Sequence, residues 1–154
     1  MPPNWTTLNV GTFHVIAAAI CHELKQGTCP RNRLLQIVAR RVRVPQAQVA
    51  EVLGHLMAPY GPYTYYHMHI TGNPLRLTVE EDTNPVQWFR NLATLYRAFE
   101  RRRVLTASDI VRLLKGKGRA WPECDWKEVL AELVRACGTP QAKQRAEDGT
   151  VDLV

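Results

Sequence analysis

The chain has 154 residues, 45% of them hydrophobic, and a formal net charge of +6. That length supports one ordinary domain or two very small ones, and that apolar fraction excludes general disorder. The charge suits an anionic partner, yet no basic tail is expected, since no run of like charge is longer than the three residues Arg101-Arg102-Arg103.

In chain order, residues 12–26 (TFHVIAAAICHELKQ) place Phe13, Ile16, Ala17, Ile20 and Leu24 on one helical face, and Gly27 is the expected stop. A second helix is expected near Pro30, a residue suited to a first helical turn, with Leu34, Leu35, Ile37 and Val38 inward. The segment Val42 to Pro45 breaks it, because the residue before proline is biased away from helix. A third helix then turns Val49, Val52, Leu53, Leu56 and Met57 inward. Its outward set is Gln46, Ala47, Ala50, Glu51, Gly54 and His55. In YTYYHMHITGNPLRLTVEE, Tyr66, Met68 and Ile70 alternate with Tyr65, His67 and His69. Gly72-Asn73 supplies a turn, and Leu75, Leu77 and Val79 alternate on the return, which predicts a β-hairpin.

The second part repeats this order. Pro85 opens a helix with Trp88, Phe89, Leu92, Leu95, Tyr96 and Phe99 on one face. A short helix is expected from Thr106, where Asp109 occupies a capping-box position. A third follows near Asp125, with Trp126, Val129, Leu130, Leu133, Val134 and Cys137 inward, and Asp148-Gly149 marks a second hairpin. Order repeats here; residue identity does not.

Three helices followed by a hairpin resemble the winged-helix superfamily. VLTASDIVRLLKG, DWKEVLAELVRACG and the final Gly-turn hairpin carry the resemblance in the second half, and VPQAQVAEVLGHL carries it in the first. It implies a mainly α fold with small β-hairpins, organised as two tandem winged-helix-like units over residues 1–82 and 83–154. Winged-helix pairs serve either as nucleic-acid binders or as scaffolds for partner chains, so the resemblance speaks to shape more than to function.

The third helices are poor base readers. Gln46 can pair with adenine, but the outward set around it holds no Lys or Arg, and Glu51 opposes phosphate. The later helix offers Lys127 and Arg135 against Glu128 and Glu132. Cations gather elsewhere: Arg31, Arg33, Arg40, Arg41 and Arg43 on the second helix and its turn, Arg76 on the hairpin, and Lys115, Lys117 and Arg119 in a glycine-containing loop. Arg97 and Arg101 to Arg103 close the fourth helix, where cations complement the dipole. Arg31, Arg33, Arg40, Arg41, Arg43, Gln46, Arg76, Lys115, Lys117, Arg119 and Lys127 are expected to hold a phosphate backbone of DNA or RNA with little base readout. Tyr65, His67 and His69 on one hairpin face, and Trp121 before the last helix, are expected to meet a protein partner.

Four cysteines (Cys21, Cys29, Cys124 and Cys137) form no CxxC pair, and MPPNWTTLNVG lacks the features of a signal peptide. VIAAAIC is too short to span a bilayer. A soluble intracellular protein, cytoplasmic or nuclear, with reduced thiols is expected, without a membrane, cofactor or metal. GxSxG, HExxH and Walker motifs are absent from the sequence, so a non-enzymatic role is expected.

Overall fold

The structure is a computed structural model and describes residues 8–57, 68–79, 84–102, 104–105 and 151–152. It is mainly helical. Helix α1 spans Val10–Lys25, α2 Arg31–Val42, α3 Gln46–Met57 and α4 Pro85–Arg102. Strands β1 (Met68–Thr71) and β2 (Arg76–Val79) form an antiparallel hairpin, and β3 (Val104–Leu105) pairs antiparallel with β4 (Val151–Asp152).

Helix α1 starts ahead of the expected Thr12 because Asn9 caps it, its Oδ1 accepting from the Thr12 N–H at 3.2 Å. At the other end Gly27 adopts φ 144°, a conformation that favours glycine. The run Ile16, Ala17, Ala18, Ala19, Ile20, Cys21 is buried without interruption. Burial at six successive positions means that neighbours pack on more than one face of the helix. Here α2, α3, β2 and α4 all pack against it. One cluster joins Phe13, Ile20, Leu34, Leu53, Ile70, Phe89 and Leu92, so the core is continuous across residue 82.

Pro30 is the N-cap of α2 rather than part of its first turn. Leu34, Leu35 and Val38 are buried as expected, whereas Ile37 is only half-buried. It lies about 100° around the axis from Val38, at the edge of the apolar stripe. Arg43 ends the helix in the left-handed conformation (φ 58°), and the Val44 N–H returns to the Ala39 carbonyl at 3.1 Å. The chain thereby reverses directly into α3.

Val49, Val52, Leu53 and Leu56 of α3 are buried, but Met57 is 42% exposed, contrary to its expected inward place. It follows Leu56 on the last turn, rotated past the rim of the core. Ala50, Glu51 and His55 are half-buried rather than outward, which leaves Gln46, Ala47, Gly54 and Met57 as the exposed set.

The hairpin alternates as expected along β1, with Met68 and Ile70 buried and His69 exposed. On the return, Leu75 is buried and Leu77 half-buried, but Val79 is 44% exposed. The register joins Thr71 to Arg76 and Ile70 to Leu77, so the loop is wider than the expected Gly72-Asn73 turn. Pro74 has no N–H to give a ladder, and Leu75 is engaged elsewhere. Its N–H and carbonyl pair with Cys29 at 2.9 and 3.0 Å, tying the α1–α2 connection to the hairpin.

Pro85 opens α4 as expected, capped by Asn84, whose Oδ1 accepts from the Gln87 N–H at 3.1 Å. Trp88, Phe89, Leu92, Leu95 and Tyr96 are buried. The strand at Val104–Leu105 was not expected; its partner lies beyond the predicted Asp148-Gly149 turn. The helices expected near Thr106 and Asp125 lie outside the described residues.

Candidate nucleic-acid interface and an adjoining groove

Of the expected phosphate contacts, α2 and its turn carry most. Arg31, Arg33, Arg40 and Arg43 are exposed. Arg33, Gln36 and Arg40 recur at helical spacing and form one outer stripe. The stripe leads to a depression of about 530 Å³ lined by Gln36, Ala39, Arg40, Val44 and Gln46. Two expected residues, Arg40 and Gln46, therefore line one depression on either side of Arg43. Residues 8–57 hold six Lys or Arg and two Glu. One of those carboxylates, Glu23, is taken by Arg41 at 2.8 Å, so Arg41 is partly neutralised and turned away from the stripe.

Arg76 and His69 are exposed on β2 and β1 respectively. Tyr65, His67, Lys115, Lys117, Arg119, Trp121 and Lys127 lie outside the described residues. Beyond Gln46, the exposed set of α3 (Ala47, Gly54, Met57) carries no charge.

A second feature was not predicted. The end of α2 and the facing sides of α1 and α4 enclose a groove of about 530 Å³. Its floor is Val15, Ala18 and Ala19 of α1, Val42 of α2 and Ala93 of α4, and its rim carries His22, Arg41, Arg90 and Arg97. The short alanine side chains leave a hollow that larger residues would fill. Gly11 gives Arg97 room to lie over the first turn of α1, since a Cβ there would come within 3.3 Å of the Arg97 Cγ. Two polar side chains line the hollow. Thr94 donates its hydroxyl to the Arg90 carbonyl at 2.9 Å, and Gln87 donates its amide to Asn91 Oδ1 at 2.7 Å. His22 Nε2 lies 3.3 Å from the Gln26 amide nitrogen, a pairing in which the ring nitrogen accepts.

Sequence reasoning named Arg41 and Arg97 as helix-end cations but missed Arg90 and the groove. It forms where α4 meets α1 and α2, which lie far from it in the chain, and local periodicity carries no signal of such a meeting. Beneath it, His14 is fully buried between the rings of Phe13 and Phe89, with centroids at 5.3 and 6.0 Å. Cys21 and Cys29 are free thiols, and burial pushes the Cys21 thiol well above its ordinary value of 9.0. Among the described residues, no cluster of three metal-ligating side chains occurs, and no helix is long and apolar enough to cross a membrane.

Comparison with protein-family models, with curated proteins and with solved structures gives no match.

Proposed function

We propose that the protein is a non-enzymatic nucleic-acid-binding component, built from two tandem winged-helix-like units, that holds the phosphate backbone with little base readout. The architecture is supported by the order α1, α2, α3, hairpin, with the Cys29–Leu75 bridge linking the α1–α2 connection to the hairpin. After α4 the relation recurs, as a short strand at 104–105 meets a late strand at 151–152. The observation that carries the function is the contrast between outer faces. On α2 and its turn, Arg31, Arg33, Arg40 and Arg43 are exposed with no carboxylate partner among the described residues, while α3 exposes no cation. Phosphate contacts fix position without reading sequence. The test is binding to labelled duplex and single-stranded DNA and RNA at 50 and 200 mM salt. Binding at low salt that weakens steeply with salt and varies little with sequence is expected; no binding at low salt rejects the reading.

A second reading, a protein scaffold, is favoured by the large apolar side chains Met57 and Val79, exposed by 42% and 44%. Pull-down from a lysate with the intact chain and a Met57→Glu, Val79→Glu variant tests it; a partner lost in the variant supports it, and equal capture opposes it.

A further inference from the structure

We infer that the groove between α1, α4 and the end of α2 is a docking site for an acidic amphipathic peptide segment of a partner protein. Two features select that chemistry. The rim is cationic: Arg90 and Arg97 are exposed and have no acidic partner among the described residues, and Arg41 joins them although Glu23 already holds it. The floor is apolar, from Val15, Ala18, Ala19, Val42 and Ala93, within a groove of about 530 Å³. The polar groups inside are engaged within α4 itself. The Thr94 hydroxyl donates its hydrogen to the Arg90 carbonyl, and Gln87 donates amide hydrogen to Asn91.

A phosphodiester backbone satisfies only the first feature. It has no apolar side to place on the alanine floor. A peptide with carboxylates on one face and leucines on the other satisfies both: carboxylates meet Arg90 and Arg97, and apolar groups fill the floor. Neither Arg90 nor Arg97 belongs to the outer stripe of α2, so this inference stands apart from the nucleic-acid reading.

The test uses the full chain and a fluorescein-labelled EELLEELLEELL peptide, read by anisotropy. Poly-glutamate of equal length and a short DNA duplex are the comparison probes. The peptide is expected to bind at least about tenfold tighter than poly-glutamate, and Arg90→Glu with Arg97→Glu is expected to weaken it by a further tenfold or more. These two side chains are exposed, so the variant retains the fold, as circular dichroism would verify. Filling the floor with Ala93→Leu is expected to weaken the peptide about tenfold while leaving duplex binding unchanged. Equal binding of poly-glutamate, indifference to the double reversal, or displacement of the peptide by duplex would each overturn the inference.

Discussion

Helices α2 and α3 adjoin across one left-handed residue, Arg43, and each has twelve residues, yet their outer faces differ in kind. α2 turns Arg33, Gln36 and Arg40 to solvent; α3 turns out Gln46, Ala47, Gly54 and Met57. In helix-turn-helix recognition the second helix of the pair enters the major groove. Under the proposed function α3 would take that place, yet it is the less cationic of the two. The lesson is that helix order sets where surfaces lie, while residue chemistry at those surfaces sets what they can hold.

The largest expected effect removes the support beneath both helices. Phe13 is fully buried and its ring meets His55 of α3 at 5.7 Å. Phe13→Ala should cost about 3–5 kcal/mol in denaturant unfolding, and a loss under 1 kcal/mol would contradict the described core. Next comes alkaline pH. Cys21 is protonated when folded, so its contribution is intact below 9.0 and is lost as pH rises above that value, where the unfolded thiol ionises. Relative to Cys21→Ala, wild-type stability should fall by up to about 1.4 kcal/mol per pH unit in that range. Parallel pH profiles for the two proteins would contradict the burial.

Smaller effects separate the two faces. A Cβ at Gly54 meets nothing within 4 Å, so Gly54→Ala should stabilise the fold by about 0.5–1 kcal/mol and leave nucleic-acid affinity unchanged. An affinity loss there would mean that α3 lies against the ligand after all. Of the same order is Arg41→Gln. Arg41 is 47% exposed and Glu23 15%, so water still screens the pair in part, and its loss should cost about 1 kcal/mol in thermal or denaturant stability.

Much of the first part was legible in the sequence because it is written locally. The apolar period of α1, the Pro85 start of α4 and the in-out alternation of Met68, His69 and Ile70 each follow from neighbours along the chain. Met57 and Val79 were misplaced because both end their elements, where the rim of the core decides exposure rather than period. The hairpin register was missed because Leu75 pairs with Cys29, a partner distant in sequence. The same holds for the β3–β4 pair and for Arg90 in the groove. Arg33 and Arg40 were recognised as cations, but their shared stripe with Gln36 required the helix to run unbroken from Arg31 to Val42.

The central claim is that α2, and not α3, grips phosphate. Its most direct test is the slope of log K against log salt for duplex binding, measured for the wild type and for Arg33→Gln with Arg40→Gln. Each lost phosphate contact should flatten the slope by about 0.9, so the pair should flatten it by about 1.8. An unchanged slope in that variant would contradict the claim.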